Sequence, residues 1–275
     1  MKKIFSIILI GILTVSLFTG CSQKKVSVEN NDVLKGTVAV VGSTSVTPVA
    51  QNLADKFMSI HPEVKIDVQG IGSSAGIKAA SNGSADIGMA SRNLKEKEKE
   101  WGLTQHVIAY DGIAVVVNPN NPVKELTKEQ IAKIFKGEIK NWKEVGGPDK
   151  EILVVSREAG SGTRGAFEEI VGIENAVRED ALVAEGNGAV KANVASKEYA
   201  IGYLSFAYLD DSVKALKVDG AEPTVENIKA GNYKISRPFL MVTKGEIKLA
   251  AKAYLDFILS DEGQKIVGEK LITVK

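Results

Sequence analysis

One pattern occurs three times in the sequence: an apolar run of strand length, a short loop rich in Gly, Ser and Thr, and a helix-like stretch. The apolar runs are residues 38–41, 64–68 and 152–155, and the loops that follow them are residues 42–48, 70–76 and 157–164. A fourth apolar run ends in Ser91 and Arg92. Strands that alternate with helices in this way predict an α/β fold with a mostly parallel sheet and helices on its faces.

The loop at residues 157–164 has the composition of an oxyanion-binding site. Where a strand leads through a turn into a helix, several backbone N–H groups point at one spot, and the helix dipole favours an anion there. Arg157 can add a two-pronged, charge-assisted contact, and the hydroxyl groups of Ser161 and Thr163 can donate from the helix start. Taken alone, the loop is also compatible with an ordinary capped helix and a surface arginine. Its repetition along the chain favours the anion site.

Two further stretches predict that the chain forms two lobes. Residues 107–118 are apolar except for one Asp-Gly pair, and this run is longer than an average strand of about five or six residues. Residues 237–244 form a second run of this kind. A long apolar run of this kind is typical of a strand that leaves one lobe and enters another. We therefore predict lobe I from residues 36–109 plus 237–275, and lobe II from residues 110–236.

The N-terminus predicts export and lipid attachment. Residues 1–20 combine a basic start with a short apolar core, which is typical of a signal peptide and too short for a lasting membrane span. The residues before Cys21 resemble a bacterial lipobox, which implies cleavage there and diacylglycerol on Cys21; the alternative is a plain secretory signal with an incidental cysteine. Residues 21–35 are polar and are predicted to be a tether. Because Cys21 is the one cysteine of the chain, an intrachain disulfide is excluded.

Composition excludes several classes of function. The chain has 35 basic and 34 acidic side chains, so it lacks the basic excess of a nucleic-acid-binding protein. The chain has two histidines and one cysteine, which is predicted to be acylated. These residues are too few for a His/Cys zinc site or a catalytic Cys-His pair. The glycine-rich loops match neither the dinucleotide fingerprint nor the P-loop. We predict no metal, cofactor or catalytic residue, although the many carboxylates leave a catalytic pair open. The charged run at residues 95–100 is predicted to be a solvated helix face without chemistry.

Together these motifs resemble the family of phosphate-binding receptors of the phosphate-specific ABC transporter, which has the type II periplasmic-binding-protein fold. The resemblance covers nearly the whole mature chain, and its motifs are residues 42–45, 70–74, 86–91, 157–163 and 200–203. It implies two α/β lobes, each with a mixed, mostly parallel sheet flanked by helices and joined by two strand crossovers. The lobes are expected to close on a dehydrated anion.

The resemblance also implies a set of phosphate contacts. At the matching positions they are Thr44, Ser45, Ser73, Arg157, Ser161, Gly162 and Thr163. In many members an aspartate after the third strand accepts the phosphate proton, whereas Ser91 is the best match for that position here. A serine hydroxyl can accept as well as donate, so we predict Ser91 as the acceptor. Arg157 is predicted to supply the main positive charge, with Arg92 and Arg164 as the alternatives.

The function implied by the resemblance is that of a non-enzymatic, extracytoplasmic lipoprotein. It would bind inorganic phosphate and deliver it to the permease subunits of an ABC importer, held at the cell membrane through the lipid on Cys21. We expect a monomer and no nucleic-acid partner. Two alternatives stay open: a receptor for another tetrahedral oxyanion, such as sulfate or molybdate, and a surface phosphohydrolase, which would need a metal site or a nucleophile.

Overall fold

The computed structural model describes residues 33–275 of the chain, so the predicted signal peptide, Cys21 and most of the predicted tether lie outside the described residues. The strands within this range are β1 (Gly36–Gly42), β2 (Val64–Gly70), β3 (Ile87–Ala90), β4 (Leu103–Val117), β5 (Glu125–Leu126), β6 (Leu153–Arg157), β7 (Leu182–Ala184), β8 (Ala200–Ser205), β9 (Lys214–Ala215), β10 (Lys217–Val218) and β11 (Ser236–Lys244). The helices are α1 (Thr47–Ile60), α2 (Ser73–Asn82), α3 (Glu96–Lys99), α4 (Lys128–Lys136), α5 (Gly162–Val171), α6 (Gly186–Ser196), α7 (Val225–Lys229), α8 (Leu249–Ile258) and α9 (Asp261–Val267).

The main sheet is mixed and has helices packed against it. Its strand order is β2-β1-β3-β11-β4-β8-β6-β7, with β9 also paired to β4. The pairs of β1 with β2 and β3 are parallel, and so are the pairs of β6 with β7 and β8. Strand β11 is antiparallel to β3 and β4, and β4 is antiparallel to β8. The predicted α/β fold class with a mixed sheet is confirmed.

Strands β4 and β11 are the long strands of the sheet, with 15 and 9 residues, and they pair with each other. Two large apolar cores lie along them. One core is built from residues between 113 and 235, and the other from residues between 38 and 109 and between 239 and 271. The chain therefore passes from one core to the other along β4 and returns along β11.

Glycines allow α2 to pack directly on the end of β1. A Cβ atom at Gly76 would lie 2.5 Å from the Cα atom of Gly42 and 2.5 Å from the carbonyl oxygen of Val41. Gly42 itself has φ of +144°, and a Cβ there would lie 2.2 Å from the carbonyl oxygen of Met89. Only glycine fits at these two positions, and the absence of side chains there lets the backbone segments approach closely. The loops after β1, β2 and β3 therefore meet at one edge of the sheet.

Candidate functional site

The loop after β6 places a guanidinium and a helix N-terminus together in the interior. Arg157 is the last residue of β6 and is 1% exposed, and Ser161 and Thr163 are also buried. Ser161 caps α5, since its hydroxyl oxygen accepts a hydrogen bond from the backbone N–H of Arg164 at 3.2 Å. This cap fixes the start of the helix, where unpaired N–H groups favour an anion.

The loop after β1 lies directly against the loop after β6. The hydroxyl oxygens of Ser45 and Thr163 are 2.8 Å apart. Nη2 of Arg157 donates to the hydroxyl oxygen of Thr44 at 3.1 Å. These contacts join residues that are more than a hundred positions apart in the chain, so they arise from the tertiary fold and not from local structure.

The loops after β2 and β3 complete the same site. The hydroxyl oxygen of Ser73 accepts from the backbone N–H of Ser91 at 3.1 Å, and Ser43 donates to the hydroxyl oxygen of Ser91 at 2.8 Å. A Cβ atom at Gly162 would lie 2.2 Å from the hydroxyl oxygen of Ser73 and 2.6 Å from that of Ser91. The first turn of α5 therefore packs tightly on these two serines.

The structure thus brings all eight predicted phosphate contacts into one group. We call them the site cluster: Thr44, Ser45, Ser73, Ser91, Arg157, Ser161, Gly162 and Thr163. All but Thr44, which is half-buried, are buried. Their role as ligand contacts stays a prediction.

Arg157 is held by the residue that follows it. Its Nε and Nη2 atoms donate to the carboxylate of Glu158 at 2.8 and 2.9 Å. Burial alone would raise the pKa of Glu158, but the hydrogen bonds and charge of Arg157 outweigh it and lower that pKa. Glu158 is therefore ionised and orients the guanidinium. Within residues 33–275, Nη1 of Arg157 is buried and has no hydrogen-bond partner, which is costly unless something accepts from it.

Arg92 is occupied by a different carboxylate. Its two terminal nitrogens donate to Glu98 at 2.7 and 2.8 Å, and Nη2 also donates to the hydroxyl of Ser74 at 3.0 Å. Glu98 is 6% exposed, so the prediction of a solvated face at residues 95–100 is wrong at this residue. The sequence run looks uniformly charged, but the buried guanidinium of Arg92 requires one carboxylate to turn inward.

The side chain of Arg164 is engaged by a carboxylate and by the backbone of the strand that carries Arg157. Its Nε atom donates to Glu168 at 2.6 Å, and Nη1 donates to the backbone carbonyl oxygen of Arg157 at 3.0 Å. The side chain thus supports the strand end that carries Arg157. This placement favours a positioning role for Arg164 over a direct ligand contact.

A buried ion pair between the two long strands was missed by the sequence reasoning. Arg237 on β11 lies opposite Asp111 on β4, and the two residues are 3% and 1% exposed. Nη2 and Nε of Arg237 donate to one carboxylate oxygen of Asp111 at 2.8 and 3.2 Å, and the hydroxyl of Ser205 donates to the other at 3.0 Å. Burial raises the pKa of Asp111, and the charge and hydrogen bonds of Arg237 oppose that rise. The available signal was Asp111 within the apolar run at residues 107–118 and Arg237 at the start of the run at residues 237–244.

Two more residues that the sequence did not single out contact the loop after β1. The side-chain amide of Asn187 donates to the hydroxyl oxygens of Ser45 at 3.0 Å and Thr44 at 3.3 Å. The phenol of Tyr208 donates to the backbone carbonyl of Thr44 at 2.9 Å. Asn187 lies in the first turn of α6. Nothing in the local sequence around either residue indicated these contacts.

Residues 33–275 contain neither a grouped set of metal ligands nor a membrane-spanning helix. Among residues 33–275, no three His, Cys, Asp or Glu side chains are grouped so that they could hold a metal ion. In the same range, no helix has the length and apolar character needed to cross a membrane.

Comparison with known proteins identifies the family. Residues 27–262 match the family model described as a PBP superfamily domain. The phosphate-binding protein PstS of Bacillus subtilis is 37% identical over 244 residues, which cover 88% of this chain and 81% of that protein.

Two solved structures resemble the chain in both fold and sequence. One is a putative phosphate ABC transporter substrate-binding protein with bound phosphate from Clostridium perfringens, with 53% identity, a TM-score of 0.86, and coverage of 87% of this chain and 100% of that one. The other is an ABC-type phosphate transport receptor from Vibrio cholerae, with 41% identity, a TM-score of 0.74, and coverage of 86% and 99%. This chain belongs to the PstS family of phosphate-binding proteins, within the PBP superfamily.

Proposed function

We propose that this chain is the phosphate receptor of an ABC importer and that it binds inorganic phosphate at the site cluster. The observation that carries the proposal is the convergence of four loops on one buried group of hydroxyls around Arg157, whose Nη1 atom has no partner within residues 33–275. The names of the relatives, including one structure with bound phosphate, support the same ligand. The expectation that the chain is not an enzyme is confirmed by its family, since these relatives are binding proteins and transport receptors.

The chemistry of the site cluster suits a dehydrated oxyanion. Neutral hydroxyl and N–H donors that are fixed before binding avoid an ordering cost, and they permit high affinity with few formal charges. Arg157 adds a fork-shaped cation that is oriented in advance by Glu158. The site can therefore replace the hydration shell of phosphate with directed donors.

We propose the two apolar cores as the two lobes, with residues 36–109 plus 237–275 in lobe I and residues 110–236 in lobe II. The separation of the cores at β4 and β11 supports this division. Contacts such as that between Ser45 and Thr163 then join the lobes across the ligand cleft. Closure by hinge motion at the two strands would present a distinct surface to the permease subunits.

Competition calorimetry tests the choice of ligand. The protein is titrated with phosphate alone and then with phosphate in the presence of sulfate or molybdate. We expect phosphate to bind at one site per chain and to be displaced poorly by the other two anions. Tighter binding of sulfate or molybdate would reassign the receptor to another oxyanion. Phosphate release from a chromogenic ester, measured in parallel, would support the phosphohydrolase instead.

We also propose that Cys21 carries lipid and holds the protein at the extracytoplasmic face of the cell membrane as a monomer. The lipobox-like residues before Cys21 support the anchor, although Cys21 lies outside the described residues. Cys21→Ala is expected to leave an uncleaved or shed protein that still binds phosphate, because the substitution removes the site of lipid attachment and no member of the site cluster. Cell fractionation with intact-mass analysis measures this effect. An unmodified Cys21 on wild-type protein from the membrane fraction would contradict the anchor.

Ser91 is predicted to set the charge state of the bound anion. Its hydroxyl oxygen accepts from Ser43 at 2.8 Å and lies 3.4 Å from the hydroxyl oxygen of Ser73, which can take the Ser91 hydrogen. A lone pair of Ser91 is then available for the proton of phosphate, whereas sulfate has no proton to give. We expect phosphate to be favoured over sulfate by about 1–3 kcal/mol, the cost of mispaired donors.

Ser91→Asp is expected to shift optimal phosphate binding to lower pH. A carboxylate accepts the phosphate proton but repels the phosphate dianion. The dianion becomes the main form as the second proton is lost, which occurs at about pH 6 in a phosphate ester. Affinity measured by calorimetry across this pH range checks the prediction. Ser91→Ala is the control, because it removes the acceptor without adding charge. An unchanged pH profile in Ser91→Asp would show that Ser91 does not face the phosphate.

A further inference from the structure

Arg237 and Asp111 occupy the point where the chain passes between the two cores. The residues are directly opposite each other in the antiparallel pairing of β11 and β4. Asp111 and Arg237 are themselves almost fully buried, so both charged groups lose their hydration, which costs free energy. Hydrophobic residues of similar volume would hold two strands together at less cost. The position of the pair therefore requires a further reason.

The guanidinium of Arg237 reaches the site cluster. Its Nη2 atom lies 3.3 Å from the hydroxyl oxygen of Ser45, which in turn lies 2.8 Å from the hydroxyl oxygen of Thr163. Its Nη1 atom is buried and, within the described part of the chain, has no hydrogen-bond partner. Asp111 thus accepts hydrogen bonds from one edge of the guanidinium, through Nε and Nη2. The Nη1 donor on the other edge is left without an acceptor in the described residues.

Arg157 shows the same arrangement on the other side of the first loop. It pairs with Glu158 through Nε and Nη2, its Nη2 atom contacts Thr44, and its Nη1 atom is buried without a partner in residues 33–275. Thr44 and Ser45 are adjacent, so two guanidinium groups approach the loop after β1 from two different strands. Burial lowers the pKa of Arg237, the charge and hydrogen bonds of Asp111 oppose that change, and the charge of Arg157 lowers the pKa further, as expected for two cations that repel each other.

We infer that Arg237 is a second anion-binding arginine of this receptor and that it favours the doubly charged form of phosphate. This inference rests on the proposed function and extends it. An anion between the two guanidinium groups relieves their repulsion and supplies acceptors for both unpartnered donors. Asp111 orients Arg237 as Glu158 orients Arg157. The two carboxylates balance the two arginines, so the site attracts an anion through fixed, directed donors without a large net charge.

A double-mutant cycle separates anion binding from strand pairing. The variants are Arg237→Gln, Asp111→Asn and the combination of both, each titrated with inorganic phosphate by calorimetry. Thermal unfolding without phosphate shows which variants are folded. The combined variant replaces both charged groups with amides and so leaves neither member of the pair as an unpaired buried charge, and it remains testable if a single variant unfolds. Arg178→Gln is the matched control: Arg178 also pairs with a carboxylate, Asp180, and also has a buried Nη1 without a partner in residues 33–275, but it lines a pocket with Leu153 at the start of β6.

If Arg237 binds the anion, the combined variant should bind phosphate at least about tenfold more weakly than wild type, the size expected for a charged hydrogen bond. The loss should be larger at about pH 8 than at about pH 5.5, which lie on either side of the second ionisation of a phosphate ester. Affinity within about threefold of wild type, roughly 0.7 kcal/mol, would overturn the inference and leave the pair a structural one. Absence of phosphate binding by the wild type would instead overturn the proposed function itself.

Discussion

Arg157→Ala is expected to weaken phosphate binding by about 2–5 kcal/mol, which is at least about 25-fold in affinity. The guanidinium is 1% exposed, so the truncation removes a buried, charge-assisted contact and also leaves Glu158 without its partner. Arg157→Lys should restore only part of the affinity, because an ammonium group cannot donate to Glu158 and to phosphate with the planar fork of arginine. Calorimetric titration with phosphate measures both variants.

Arg178→Ala provides the control for this prediction. It removes an arginine that also pairs with a carboxylate, Asp180, but lies with Leu153 at the far end of β6 from Arg157. We expect its phosphate affinity to equal that of wild type. An Arg157→Ala variant that binds phosphate within about threefold of wild type would place the anion elsewhere.

Gly162→Ala is expected to obstruct closure of the site with little effect on the fold. The added Cβ atom would lie 2.2 Å from the hydroxyl oxygen of Ser73 and 2.6 Å from that of Ser91. Overpacking of this kind costs about 1–3 kcal/mol, or roughly 5- to 150-fold in affinity if closure is needed for binding. Gly162 lies in α5 and does not have a left-handed backbone, so alanine does not strain the chain there. Thermal unfolding without phosphate should therefore change little.

Gly188→Ala is the matched control, since it lies in α6 and a Cβ atom there meets nothing within 4 Å. We expect it to bind phosphate as wild type does. Small-angle scattering with and without phosphate adds an independent measurement, because Gly162→Ala should stay expanded when phosphate is added. Wild-type affinity in Gly162→Ala would mean that the close approach of Gly162 to Ser73 and Ser91 is not part of the bound state.

Much of the fold followed from local pattern. The alternation of apolar runs and helix-like stretches predicted the mixed α/β sheet, and the long run at residues 107–118 corresponds to β4. Residues that favour the N-cap position stand directly before several helices, such as Thr127 before α4 and Ser260 before α9. The order of the strands was beyond such reasoning. The pairing of β11 between β3 and β4 joins segments more than a hundred residues apart, and no local preference encodes it.

The site could be predicted in part because its members lie in loops with a distinctive composition. Ser45 and Ser73 each follow a strand and Arg157 ends one, and the carboxyl ends of neighbouring parallel strands meet at one edge of a sheet. Arg237 and Asn187 lie outside such loops. Each reaches Ser45 across more than 140 positions of sequence, so each contact exists only because the tertiary fold brings β11 and α6 to the loop after β1. The burial of Glu98 was not predicted for a related reason, because it depends on the ion pair that Glu98 forms with Arg92.

The most direct test is a calorimetric titration of the full chain with inorganic phosphate at neutral pH, run beside Arg157→Ala under the same conditions. We predict that the wild type binds one phosphate per chain and that Arg157→Ala loses at least about 25-fold in affinity. Wild-type protein that releases or absorbs no heat of binding, together with no shift in thermal unfolding on addition of phosphate, would contradict phosphate binding at the site cluster.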